Sequence, residues 1–178
     1  HEPFGRMASG IIQLGRFTQD EIHEMVTEYL KSTSLEIEDD AVRFVSRSSG
    51  GHPFYAQQLM YYSYEAAASK GKKMISKEDL RGALNTILST DRGYLDATLA
   101  RLSSTERRLM SAAADLCLGS ADSVVTLSAL AKAVNEPLSK VAVYLSRLSS
   151  KGFISRVDRG TYQISDPLVA AFLFARRS

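Results

Sequence analysis

A helix-start signal occurs three times along the chain and limits its fold to a largely helical one. In the segments Thr18–Glu21, Ser76–Asp79 and Ser103–Glu106, a hydroxyl residue precedes a carboxylate by three positions. This spacing forms a capping box, in which each side chain accepts a hydrogen bond from a backbone N–H that the helix leaves unpaired. Apolar residues at three- and four-residue spacing follow, as on the buried face of a helix. The sequence therefore predicts a mainly α fold.

The first half of the chain is predicted to be a four-helix bundle over residues 15–92. Gly50 and Gly51 end its second helix, because glycine readily adopts the left-handed backbone that closes a helix. Residues 93–102 are assigned to a connector, with a short helix from Tyr94 to Leu102. The four helices of the bundle are predicted after Thr18, over Asp39–Arg47, over Pro53–Ser69 and after Ser76.

The second half, residues 103–178, follows the order of a winged helix-turn-helix domain. A capped helix is followed by two shorter helices joined by the turn "NEP", which is the helix-turn-helix plan. Alternating residues on either side of Asp158–Gly160 then predict a small β-hairpin. A closing helix follows, with Asp166 as its cap and Pro167 at its first position. The predicted fold is thus a four-helix bundle followed by a winged helix.

Charge is unevenly distributed between the two halves. From Ser103 onward there are ten basic and six acidic residues, whereas residues 1–102 hold twelve basic and fourteen acidic ones. On the second helix of the helix-turn-helix, an apolar stripe from Leu138 to Leu148 is predicted to be buried, opposite a basic stripe. Such a stripe suits contact with phosphates, although solvated helices and protein-binding winged helices also carry one. The candidate DNA-binding residues are Lys140, Tyr144, Arg147 and Lys151 on the helix, and Arg156 and Arg159 on the wing.

Several function classes find no support in these residues. No G-x-x-x-x-G-K-[ST] phosphate loop or G-x-S-x-G elbow occurs, and the three histidines share no metal-ligand spacing with other ligands. The single cysteine, Cys117, lies in an apolar run and is predicted to be a buried small residue. We therefore predict no catalytic residue, no metal site and no cofactor of this chain's own. One cysteine and no apolar stretch long enough for a bilayer predict a cytoplasmic location without a membrane partner.

Three short motifs carry a resemblance to a known family. They are the "Gly-Arg" stretch and lid entry at Gly5, Arg6, Leu14, Phe17, Thr18 and Glu21, the segment "SGGHP" over Ser49–Pro53, and "YQISDP" over Tyr162–Pro167. In this order they resemble the carboxyl-terminal lid and winged helix of the archaeal-type P-loop ATPases, which belong to the AAA+ and signal-transduction (STAND) ATPases.

The resemblance implies that an ATPase core precedes this chain in the intact protein. Residues 1–14 would be the exit segment of that core, which would supply the phosphate loop and bind ATP and Mg²⁺. The lid would then couple the ATP state to a winged helix that contacts duplex DNA. Arg6 and His52 are the nucleotide-facing candidates, in the intact protein only. Where relatives carry a sensor arginine, this chain has His52 and Pro53.

Two other functions remain open on the sequence. The winged helix could be a protein-interaction or autoinhibitory module of a signalling ATPase, with a protein as its partner. Alternatively, the chain could be a transcription regulator whose helical half senses a ligand, although it begins without an initiator methionine.

Overall fold

The computed structural model describes residues 16–119 and 124–176. Its first part, which we call the helical half, consists of five helices and a short two-stranded parallel sheet. The sheet pairs β1 (Glu36–Ile37) with β2 (Met74–Ile75). The helices are α1 (Gln19–Leu30), α2 (Asp39–Ser49), α3 (Pro53–Ser69), α4 (Lys77–Thr90) and α5 (Arg92–Ala100).

The second part is a winged helix. Its three-stranded sheet has the order β3-β5-β4, with both pairs antiparallel, and β4 and β5 form the wing. These strands are β3 (Val125–Thr126), β4 (Ile154–Asp158) and β5 (Thr161–Ile164). The helices are α6 (Ser104–Gly119), α7 (Leu127–Val134), α8 (Leu138–Ser150) and α9 (Pro167–Ala175).

The predicted capping boxes are present and explain where three helices begin. At α1, the backbone N–H of Thr18 donates to Glu21 at 2.7 Å, and the N–H of Glu21 donates back to the Thr18 hydroxyl at 3.3 Å. The same reciprocal pairs begin α4 and α6. The mainly α class, with a helical bundle and a winged helix, is therefore confirmed.

The two glycines between α2 and α3 form a tight turn against the chain's first described residues. Gly50 and Gly51 have φ angles of 55° and 73°, in the left-handed region that favours glycine. The Phe17 N–H donates to the Gly51 carbonyl at 2.7 Å, and a Cβ on Gly51 would collide with the carbonyl oxygen of Phe17. Glycine is thus needed here for space as well as for conformation.

A single hydrophobic core runs through both parts of the molecule. Helix α9 is apolar on every side, and Pro167–Leu173 are all buried, since α9 packs against α6 of the winged helix and against α2 of the helical half. The largest fully buried side chains extend along the whole core: Ile22, Leu59, Met60, Ile75, Leu80, Leu95, Leu99, Leu109, Met110, Leu130, Leu145 and Leu148.

Some local predictions were wrong or incomplete. The three two-residue strands β1, β2 and β3 were not predicted, because two residues are too few to show an alternating pattern. Helix α5 begins at Arg92 rather than Tyr94, and Leu95 and Leu99 anchor it in the core. Leu138 was expected in the core but is 53% exposed, because it lies in the first turn of α8, beyond the helix's contacts.

Candidate nucleic-acid interface and the joint that carries it

The outward face of α8 is defined by the residues that point the other way. Val141, Leu145 and Leu148 are buried against the winged-helix core. The helical period of 3.6 residues puts the opposite face at four exposed positions. Three are serines and the fourth is a valine, so the side chains of this face are small and uncharged: Ser139, Val143, Ser146 and Ser150.

The predicted basic stripe lies beside this face, and its first lysine is engaged in an ion-pair cluster. The Lys140 ammonium lies 2.9 Å from the Glu136 carboxylate, which Arg108 of α6 also contacts at 2.8 Å. Hydrogen bonds from Lys140 and Arg108 lower the pKa of Glu136. Lys140 is thus paired with a glutamate of the turn between α7 and α8, with half of its side chain exposed.

The last lysine of the stripe, Lys151, pairs with a buried carboxylate at the start of α6. Its Nζ donates to both carboxylate oxygens of Glu106, at 2.9 and 2.8 Å, and to the Arg101 carbonyl. Glu106 is only 3% exposed, and the bond from Lys151, with that from the Ser103 backbone, lowers its pKa to about 2. Lys151 therefore stabilises the start of α6, whatever else it contacts.

The remaining candidates form an exposed cationic group along α8 and the wing. The Arg147 guanidinium lies 5.4 Å from the ring centre of Tyr144, a cation–π contact that leaves Arg147 exposed. On the wing, Arg156 donates to the Asp158 carbonyl and Arg159 is exposed at the turn. Within residues 16–119 and 124–176, none of these three arginines forms an ion pair with a carboxylate. They are the cations of the predicted set that are most available to a phosphate.

Of the two nucleotide-facing candidates, one can be placed. Arg6 lies outside the described residues, as do Gly5 and Leu14 of the same motif. His52 occupies the N-cap position of α3, where no side chain caps the helix. Its Nδ1 atom is buried and has no hydrogen-bond partner in the described part of the chain, and its ring packs on Tyr55 with centres 5.0 Å apart.

These features fit an anionic group such as a phosphate. An uncapped helix N-terminus presents free N–H groups and the positive end of the helix dipole. His52 adds a ring nitrogen without a hydrogen-bond partner in the described part of the chain, but this atom is buried. The fit is one of chemistry, and it concerns a ligand that a neighbouring domain would have to bind as well.

No pattern in the sequence points to the residue that joins the two parts of the molecule. Arg16 donates from Nη1 to the Gly50 carbonyl at 2.9 Å, and from Nη2 to the carbonyls of Ile164 and Ser165 at 2.7 and 2.8 Å. Burial lowers the pKa of this guanidinium, and the nearby Asp166 carboxylate opposes that effect. One side chain thus links the turn after α2 to the end of β5.

A second contact lies beside it, around the cap of α9. Asp166 accepts from the Leu168 N–H at 2.8 Å, which starts α9, and from the Tyr94 hydroxyl of α5 at 3.2 Å. Burial and this carboxylate raise the pKa of Tyr55, on α3, to about 12. The cap of the closing helix is therefore also a contact point for the helical half.

The chain is similar to a protein family and to individual proteins whose sequences are known. The profile of a family described as a domain of unknown function (DUF8462) matches residues 88–173. The Holliday junction branch migration complex subunit RuvB of Bdellovibrio bacteriovorus is 27% identical over 152 residues, which are 85% of this chain and 43% of that protein. The matching part of RuvB is its carboxyl-terminal region.

The chain matches the lid and winged-helix region of an AAA+ ATPase. It spans less than half the length of the RuvB protein it resembles. The structure of the Thermotoga maritima RuvB branch migration motor aligns with 85% of this chain and 47% of its own, at 22% identity and a TM-score of 0.41. Drosophila ORC bound to DNA aligns with 92% of this chain and 45% of its own, at 17% identity and a TM-score of 0.37.

In this chain, the motifs that carry the resemblance meet at one place. Gly50 belongs to "SGGHP", Ile164 and Ser165 belong to "YQISDP", and Phe17 belongs to the lid entry. Arg16 and the Phe17 backbone contact the other two motifs directly. Across the described ranges, no helix is long and apolar enough to cross a membrane.

Proposed function

We propose that this chain is the part of an AAA+ ATPase in which a helical lid couples the ATP state of a preceding core to a winged helix that contacts duplex DNA. The observation that carries the DNA contact is the exposed group Arg147, Arg156 and Arg159, which no carboxylate of the described residues neutralises. The similarity to RuvB, a subunit of a Holliday junction branch migration complex, supports a role on DNA.

The shape of α8 suits a close approach to a nucleic-acid backbone. Ser139 and Ser146 present hydroxyl groups on the outward face, and serine hydroxyls commonly donate to phosphate oxygens. The Ser150 hydroxyl instead donates to the Arg147 carbonyl. Arg147 would contact a phosphate from the same helix, with Tyr144 beneath its guanidinium. The wing arginines would contact the backbone on the other side of the groove.

The two lysines and Tyr144 have smaller roles in this proposal. Lys140 and Lys151 lie near the same surface, and each is already paired with a glutamate. A phosphate would have to compete with that glutamate for the ammonium, which reduces the gain from the contact. We therefore place the main electrostatic contribution on the arginines.

In the intact protein, the preceding core would bind ATP and Mg²⁺ and supply the chemistry of hydrolysis. This chain would contribute Arg6 and His52 to the nucleotide-facing side of the lid. His52 lies at the start of α3, which would favour a nearby negative charge. The lid would respond to the nucleotide through these groups.

Fluorescence anisotropy with a labelled duplex tests the DNA contact. The chain should bind at low salt, with an affinity that falls as salt rises because phosphate contacts release counterions. Replacing Arg147, Arg156 and Arg159 together by Ala should weaken binding by about tenfold or more and reduce the salt slope by about three. The matched control replaces three exposed arginines of the helical half, Arg43, Arg81 and Arg92, by Ala, which removes the same charge. Absence of binding at low salt, or an equal effect of both triple variants, would contradict the proposal.

A protein partner is the second candidate for the winged helix. Two apolar side chains on α8, Leu138 and Val143, are 53% and 52% exposed, which is more typical of an interface than of a phosphate-facing surface. A pull-down from cell lysate with Val143→Asp as the variant, with and without nuclease, separates the two. Capture of a protein that survives nuclease and is lost in the variant would favour this candidate.

A further inference from the structure

One side chain at the joint between the helical half and the winged helix bonds only to backbone atoms. Arg16 contacts the carbonyl of Gly50, 34 residues away, and those of Ile164 and Ser165, 148 and 149 residues away. Each bond is charge-assisted, and such bonds contribute about twice as much as neutral ones. A lysine in this position has no planar fork with which to satisfy carbonyls on two different segments.

The surroundings of Arg16 are shaped to hold its guanidinium. A small cavity at the joint is lined by Arg16, Arg47, Gly50, Cys117, Ile164, Pro167 and Ala170. A Cβ on Gly50 would lie 2.8 Å from Arg16 Nη1 and 3.1 Å from the Pro167 Cβ, so glycine leaves the space that the guanidinium fills. The fit therefore requires the arginine on one side and the glycine on the other.

The position of Arg16 in the chain gives this contact a consequence for movement. Arg16 lies two positions after residues 1–14, which the sequence predicts to be the exit segment of a preceding domain. Withdrawing the guanidinium would leave three backbone carbonyls without their donor and would loosen the contact between α2 and α9.

We propose that the Arg16 side chain fixes the winged helix to the helical half, and that withdrawal of its guanidinium opens the joint beside Cys117. While the three Arg16 hydrogen bonds are in place, the two parts move as one body. This inference goes beyond the proposed function, because it requires neither ATP nor DNA. It assigns Arg16 a positioning role, since the residue acts through the two segments that it holds together.

The chain contains its own reporter for this opening. Cys117 is the only cysteine of the chain, is 3% exposed, and lines the same cavity as Arg16. Modification by a thiol reagent therefore requires an opening that exposes the thiol, either a local opening or unfolding of the whole protein. The labelling rate under native conditions, compared with the free energy of unfolding from urea titration, distinguishes these two routes.

The experiment measures Cys117 labelling in the 178-residue chain and in Arg16→Ala and Arg16→Lys. Arg16→Ala should label about tenfold faster or more, because losing charge-assisted bonds shifts an opening equilibrium by that order. Arg16→Lys should lie between the two. Arg43→Ala, which removes an exposed arginine of α2, should label at the wild-type rate. An unchanged rate in Arg16→Ala, or a rise no larger than its loss of global stability accounts for, would overturn the proposal.

A second variant tests the role of Arg16 by changing the glycine that it contacts, and it covers the case in which Arg16→Ala does not fold. Gly50→Ala should displace the guanidinium and speed labelling. Gly71→Ala is its matched control, because Gly71 also has a positive φ, 65°, but nothing lies within 4 Å of its added Cβ. Equal labelling rates in these two variants would contradict the proposed role of Arg16. Because no DNA is present, this outcome is independent of the anisotropy result.

Discussion

At the scale of single residues, the pairing of Lys151 with Glu106 separates a structural role from a binding role. Lys151 is the donor to a carboxylate that is only 4% exposed. We expect Lys151→Met to lower the free energy of unfolding by about 1–3 kcal/mol, because it leaves this buried carboxylate without its charged partner. Urea titration followed by far-UV circular dichroism measures the loss.

Two further variants serve as controls for this prediction. Arg147→Met removes an exposed cation without an ion pair and should change stability by less than about 0.5 kcal/mol. Adding Glu106→Gln to Lys151→Met should recover part of the loss, since an amide keeps the capping box but needs no cation. If Lys151→Met is as stable as the wild type, the pair contributes nothing and Lys151 is available to a ligand.

The carboxylates of Glu106 and Asp79 make the free energy of unfolding depend on pH. The side chain of Asp79 is 2% exposed; burial alone would raise its pKa, but hydrogen bonds from Lys72 and Ser76 outweigh this and lower it to about 2. Glu106 also has a pKa of about 2. Both values lie below those of an unfolded chain, about 4, so the unfolded state takes up protons first as the pH falls. Stability should therefore be fully present above about pH 5 and should decrease towards pH 2.

Urea midpoints at about pH 6, 4 and 3 test this dependence. The double variant Asp79→Asn, Glu106→Gln should be less stable than the wild type at the highest pH and should lose less on acidification. Replacing the exposed Glu24 and Glu65 by Gln serves as the control and should leave the acid slope nearly unchanged. Equal slopes in the wild type and the Asp79, Glu106 variant would show that these carboxylates do not set the pH dependence.

At the scale of elements, the turn between α2 and α3 depends on space more than on backbone conformation. Gly51 and Gly152 both have positive φ angles, 73° and 79°, but only at Gly51 would an added Cβ meet another group, the Phe17 carbonyl. Gly152→Ala should cost about 1 kcal/mol for the left-handed backbone, and Gly51→Ala about 3 kcal/mol because the collision adds to that cost. Urea titration of both variants measures the difference, and equal costs would contradict it.

Helix boundaries could be predicted from the sequence because their signals are local. A capping box needs only four consecutive residues, and those at Thr18–Glu21 and Ser103–Glu106 begin helices where expected. Proline at the first position likewise marked the starts of α3 and α9. Strands β1 and β2 are different, since they form only when Glu36 pairs with Met74 across 38 positions, and neither segment has a pattern of its own.

The candidate site was less predictable than the fold, because partners distant in sequence determine which of its charged side chains form ion pairs. The spacing of Lys140, Arg147 and Lys151 placed them on one side of α8, but it carries no information on Glu106 or on the contact between α6 and Glu136. Arg16 was missed for a related reason. All three of its acceptors are backbone carbonyls, and a carbonyl is present at every position whatever the residue type.

At the scale of the whole molecule, α9 makes the two parts interdependent. It belongs to the winged helix by sequence order, but it packs against both α6 and α2, and its residues Pro167–Leu173 are all buried. A helix apolar all round is stable only inside a core. Removing either neighbour would expose apolar surface, so neither part retains its full core without the other.

This arrangement predicts that the chain unfolds in one transition in spite of its two parts. The chain contains no tryptophan, so one introduced Trp reports on its own surroundings alone. Tyr29→Trp on α1 and Tyr162→Trp on β5 each replace a half-buried aromatic residue, one in each part. Their fluorescence midpoints in urea should coincide with each other and with the circular dichroism midpoint, as a two-state transition requires. Each variant must first match the wild-type circular dichroism midpoint, which excludes a local effect of the Trp. Two separated midpoints would mean that the winged helix and the helical half unfold independently, and that α9 stabilises only one of them.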